Sequence, residues 1–169
     1  GFPKIQLINM SHNRFDSDIS TVTKSSTTPS LRYLDMGNNK LHGSLSRDLG
    51  ALFPRLILLS ASSNCLLSYI PESLCRSKNL TTLLLSNLGN QCSDSNISNV
   101  QNQLSLQNNR KFTIPSCLLQ LPKLETAHFV SNALYGNMSE VGPSLASLSL
   151  VGNLLVGSIP ITVQTSSKL

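Results

Sequence analysis

Between residues 145 and 160, LASLSLVGNLLVGSIP, apolar side chains fall at Leu145, Leu148, Leu150, Leu155 and Ile159, followed or separated by Asn153, Gly157 and Pro160. The middle of this stretch alternates apolar and polar with a period of two, which predicts a short half-buried strand. The same spacing returns along the chain. One turn runs Phe2, Ile5, Ile8, Met10, Asn13, Phe15, Ile19, and a second runs Leu31, Leu34, Met36, Asn39, Leu41, Gly43, Leu45. A third is Phe53, Leu56, Leu59, Ala61, Asn64, Leu66, Ile70, Pro71. A fourth, Leu80, Leu83, Leu85, carries Leu88 where the asparagine belongs, and a fifth keeps Leu104, Leu106, Asn109, Ile114 and Pro115. The sixth is regular again, with Leu121, Leu124, Ala127, Phe129, Asn132, Leu134, Gly136 and Met138. Counted at the asparagine position (13, 39, 64, 88, 109, 132, 153), successive turns lie 26, 25, 24, 21, 23 and 21 residues apart. A unit of this size cannot bury its apolar side alone, so the turns are predicted to stack.

Stacking turns the x-x-L-x-L part of each unit into one rung of a parallel sheet, with neighbouring rungs about 4.8 Å apart. The two flanking leucines point inward and the residue between them points out. The asparagine, which both donates and accepts, is placed to satisfy backbone groups that the bend leaves unpaired. The outward residues form two rows. One is Asn9, Asp35, Ser60, Leu84, Ser105, His128 and Ser149; the other, two places earlier, is Leu7, Tyr33, Leu58, Thr82, Gln103, Thr126 and Ser147. The inner face of a curved stack is its default binding surface. Tyr33, Asp35, Ser60, Leu84, Gln103, Ser105, Thr126 and His128 are therefore the candidate binding residues. Two polar segments, near 16–30 and 87–102, interrupt the rhythm and read as exposed loops.

Composition narrows the function. Of 169 residues, 40% are hydrophobic and 12% charged, so the surface owes its polarity to serine, threonine and asparagine. The net charge is +5, with cations spread from Lys4 to Lys168 and only Arg110-Lys111 adjacent. A nucleic-acid surface needs basic residues gathered on one face with aromatics among them, and aromatics here are 5% with no tryptophan. No apolar run reaches the roughly 20 residues that span a bilayer. His12, His42 and His128 sit in no metal-binding or nucleophile motif, so neither an enzyme nor a cofactor or metal site is expected.

Extracellular chemistry is better represented. Four N-x-S/T sequons begin at Asn9, Asn79, Asn96 and Asn137. Asn9 lies on the outward row, where a glycan would obstruct that end of the face. The cysteines at 65, 75, 92 and 117 suggest two disulfides among three possible connectivities. Cys65 with Cys92 and Cys75 with Cys117 is one pairing; Cys65 with Cys75 and Cys92 with Cys117 is another.

The consensus L-x-x-L-x-L-x-x-N-x-L-x-G-x-I-P of the last turn and its imperfect copies resemble the extracellular plant-type leucine-rich repeat family. That family comprises the ectodomains of receptor-like kinases and receptor-like proteins and the polygalacturonase inhibitors. The resemblance implies an α/β horseshoe-type solenoid of about seven right-handed turns spanning 1–169 as one domain, part of a longer array. The parallel sheet would line the concave face and short strands and 3₁₀ turns the convex side. It further implies a non-catalytic, secreted or cell-surface module that binds a protein, peptide or glycan on the concave face. The cysteine-bearing caps of the family are missing at both ends, which leaves Phe2, Ile5, Ile8 and Met10 at one end and Leu148, Leu150 and Leu155 at the other without polar cover. Self-association through those ends would give a second reading, a structural subunit of a matrix or filament built by end-to-end stacking.

Overall fold

The structure is a computed structural model that describes residues 4–20, 28–67, 69–89 and 112–165. In chain order its elements are β1 (Leu7–Asn9), β2 (Tyr33–Asp35), β3 (His42–Gly43), α1 (Leu49–Leu52), β4 (Leu58–Ser60), β5 (Cys65–Leu66), a 3₁₀ helix (Glu72–Arg76), β6 (Thr82–Leu84), β7 (Thr126–His128), β8 (Tyr135–Asn137), β9 (Ser147–Ser149), β10 (Leu154–Val156) and α2 (Ile161–Thr165). A six-stranded parallel sheet runs β1-β2-β4-β6-β7-β9. Two further two-stranded parallel sheets, β3-β5 and β8-β10, lie downstream of the main strands. These are the second strands that the x-G-x-I-P half of the repeat implied.

Each rung feeds the core from the same positions. Leu31, Leu34 and Met36 are buried, as are Leu56, Leu59 and Ala61, then Leu80, Leu83 and Leu85, then Leu124, Ala127 and Phe129. A fully buried leucine contributes roughly 1.5–3 kcal/mol of transfer free energy, so the repeat is held by its leucine spacing. The residue before the asparagine position is left-handed in every rung: His12, Asn38, Ser63, Asn87 and Ser131 have φ between 53° and 56°, and Gly152 has 70°. The asparagine side chain secures this unfavourable bend. Asn64, fully buried, donates to the carbonyls of Ala61 at 2.9 Å and, on the preceding turn, Met36 at 3.0 Å, while its Oδ1 accepts the Leu41 amide at 3.1 Å. Asn39, Asn132 and Asn153 bond backward in the same way.

Where Leu88 replaces asparagine, the backbone substitutes for the missing amide. The Leu66 N–H, which an asparagine Oδ1 would otherwise take, is accepted at 2.7 Å by the Leu88 carbonyl. The leucine side chain itself is fully buried.

Two expectations are corrected here. The main sheet has six rungs enclosing five complete turns, rather than seven turns, because β6 pairs directly with β7, Thr82 opposite Thr126 and Leu84 opposite His128. The expected rung at 103–105 lies outside the described residues, and β6 and β7 are direct neighbours without it. The sequence carries a reason: the position filled by buried Leu31, Leu56, Leu80, Leu124 and Leu145 is Gln101 in the proposed fifth turn. A rung there would set an amide side chain among leucines, which costs free energy unless it is fully hydrogen-bonded. Secondly, the 16–30 segment is exposed only in part: Asp16, Ser17 and Pro29 are exposed, whereas Ile19 and Thr28 are buried at 2% and 3% relative exposure. Most of 87–102 lies outside the described residues.

Candidate functional site

The two outward rows are set by register. Leu7, Tyr33, Leu58, Thr82, Thr126 and Ser147 are successive partners, and Asn9, Asp35, Ser60, Leu84, His128 and Ser149 form the parallel row. The face is therefore divided. Its first three rungs carry an apolar stripe in which Leu7 is 60% and Tyr33 40% exposed beside half-buried Leu58. Its last two are polar, with Nε2 of His128 2.9 Å from Oγ of Ser147. Asp35 is committed in part to the fold, as its Oδ1 accepts the Gly37 amide at 3.0 Å.

The candidate residues do not all reach this surface. Tyr33 is exposed, and Asp35, Leu84, Thr126 and His128 are half-buried on it. Ser60 is only 7% exposed, tucked between its neighbours, so it is removed from the contact surface. Gln103 and Ser105 lie outside the described residues, and the direct pairing of Leu84 with His128 closes the gap they were expected to fill. Leu7 and Leu58, absent from the candidate set, complete the stripe around Tyr33.

The sequons also divide. Asn9 is exposed on β1, with its Oδ1 accepting the Ser11 amide at 3.0 Å and the Ser11 hydroxyl at 2.8 Å. Asn137 is exposed on β8, and Asn79 is exposed with its Oδ1 accepting from Nζ of Lys123 at 2.9 Å. Asn96 lies outside the described residues. Cys75 and Cys117 form a disulfide, with Cα atoms 5.7 Å apart. Cys65 is not disulfide-bonded: it is buried in β5, where its backbone pairs with His42. The pairing of Cys65 with Cys75 is thereby excluded, and Cys92 lies outside the described residues.

Among the described residues no group of His, Cys, Asp or Glu could hold a metal ion. His42 has its Nδ1 3.3 Å from Asp16, and His12 its Nε2 3.3 Å from the Asn38 amide. No described helix is long and apolar enough to cross a membrane. Among the described residues the two outward rows form a continuous contact surface. One feature was invisible in the sequence: Arg32, Arg55 and Lys123 converge with Asn79 on a hollow at the edge of the face.

Comparison with known proteins agrees with this geometry. The Leucine Rich Repeat family model matches residues 30–52. Receptor-like protein 35 of Arabidopsis thaliana is 32% identical over 148 residues, 79% of this chain and 13% of that protein. The crystal structure of a TDR receptor superposes with a TM-score of 0.68 at 26% identity, over 94% of this chain and 24% of that one. A chain of the BIR3–SERK2 complex from Arabidopsis thaliana gives a TM-score of 0.54 at 27% identity, covering 78% and 60%. The chain thus spans 13% of the receptor-like protein it matches, and 24% and 60% of the two solved chains.

Proposed function

From the premise that this chain is a leucine-rich repeat solenoid similar to plant receptor ectodomains, we propose that it is a non-catalytic recognition module of a secreted or cell-surface protein. Its ligand is a peptide or protein segment laid across the concave sheet. The observation that carries this reading is the stripe of exposed Leu7 and Tyr33 with half-buried Leu58 on three adjacent rungs, an apolar patch with an aromatic centre. Aromatic anchors of this kind concentrate binding energy. The names of the relatives support the class: one is a receptor, another was crystallised in a complex, and a third is a receptor-like protein.

The test is selection of displayed random heptapeptides on the immobilised chain, followed by measurement of the selected peptides on Tyr33→Ala. Losing the ring should weaken binding roughly tenfold, the effect of an interface residue worth over 1 kcal/mol. Selected peptides that bind Tyr33→Ala as well as the parent would refute the concave-face assignment.

A further inference from the structure

Each rung of the main sheet opens on a carbonyl that accepts two successive amides of the next. Gln6 accepts from Arg32 and Tyr33, Arg32 from Ile57 and Leu58, Ile57 from Thr81 and Thr82, and Thr81 from Glu125 and Thr126. This regular entry stacks Arg32, Ile57 and Thr81 in one row. Arg55, Asn79 and Lys123, each two residues upstream of a stacked position, form the row beside it. The six together line a solvent-open cavity of about 430 Å³.

The charge of this hollow is one-sided. Among the described residues no carboxylate lines it. Glu125, which follows Thr81 in the same row and shares its rung with Lys123, does not line the hollow, so cations are in excess there. Among the described residues the only acid–base contact is His42 with Asp16, so Arg32, Arg55 and Lys123 have no anionic partner. Lys123 is held instead by the neutral Asn79 amide. Cations gathered on successive rungs repel one another, and an anion placed among them offsets that repulsion while gaining charge-assisted hydrogen bonds. The guanidinium plane is matched to a carboxylate through two parallel N–H···O bonds.

We propose that this hollow binds the carboxylate side chains of an acidic peptide segment. The peptide class rests on the concave-face reading: Arg32 is followed directly by Tyr33, so a ligand seated here continues onto the Leu7, Tyr33 and Leu58 stripe. An extended peptide can set acidic groups in the hollow and apolar ones on the stripe. An acidic oligosaccharide offers only the C–H faces of its rings to Tyr33 and has no apolar side chain to set against Leu7 and Leu58.

The probe is a fluorescein-labelled hexaglutamate peptide followed by anisotropy at low and moderate salt. The chain is produced without N-glycosylation, so the Asn79 amide and Thr81 both stay in the cavity wall. Saturable binding is expected, about tenfold weaker in Arg32→Gln/Arg55→Gln, as for loss of a charge-assisted hydrogen bond. A control, Arg14→Gln/Lys40→Gln, removes two exposed cations elsewhere and should leave the affinity unchanged. Equal losses in both double variants would mean general attraction to a chain of net charge +5 and would overturn the site. Tighter binding of trigalacturonate than of hexaglutamate would overturn the peptide class. Hexaglutamate offers nothing to the aromatic stripe, so Tyr33→Ala should leave its affinity intact. Failure of the concave-face reading therefore appears in the selected heptapeptides, and failure of this one in hexaglutamate.

Discussion

Asn64→Ala is the most direct probe of how the turns are joined. The Asn64 side chain is fully buried and reaches four backbone groups. Two of those keep other partners after truncation: the Ser62 carbonyl still accepts the Asn38 amide, and the Met36 carbonyl still accepts from the Asn39 side chain at 3.2 Å. Among the described residues the Leu41 N–H and the Ala61 carbonyl keep no other hydrogen bond. Each buried orphan costs about 1–3 kcal/mol, and water entering the vacated volume recovers part of it, so the loss should be about 3 kcal/mol. For a domain of this length that is a fall of roughly 6–12 °C in Tm. Urea unfolding followed by circular dichroism gives the free energy, and amide hydrogen exchange at Leu41 reports the local effect. A loss below about 1 kcal/mol, or unchanged protection of the Leu41 amide, would refute the ladder as the joint between turns. The companion variant Leu88→Asn should not stabilise, because the Leu66 amide already has the Leu88 carbonyl and the new side chain would enter an apolar site.

Two further predictions concern the flanks. In Gly50→Ala the added Cβ would stand 2.0 Å from the Ser73 carbonyl oxygen where α1 meets the 3₁₀ helix, so the backbones must separate. A loss of about 3 kcal/mol is expected in the same denaturation assay, and a neutral result would show that this contact yields freely. Reduction of the Cys75–Cys117 disulfide, or Cys75→Ala/Cys117→Ala, opens a loop of 42 residues and should remove about 4 kcal/mol by the chain-entropy relation. Matching unfolding curves with and without reductant would contradict it.

How much of this could be read beforehand depends on which contacts are local. Burial of Leu31, Leu56, Leu80, Leu124 and Leu145, the strand at each x-x-L-x-L, the outward position of Tyr33 and the role of Asn39, Asn64, Asn132 and Asn153 all follow from one turn's own pattern. A period of two and a recurring unit fix which side chain faces the core without reference to any other turn. Which rungs touch is a different kind of fact. Spacing alone admitted a strand near 103–105. The pairing of Thr82–Leu84 with Thr126–His128 came from the tertiary structure, which brings together segments 44 residues apart, shields Ser60 and joins Cys75 to Cys117. The basic hollow has the same origin: Arg32, Arg55 and Lys123 look scattered along the chain and become neighbours only when the turns are stacked. The sequence determined what each turn buries, and the stacking decided what the turns present together, because proximity across rungs depends on which turns join the sheet and not on the pattern within any of them.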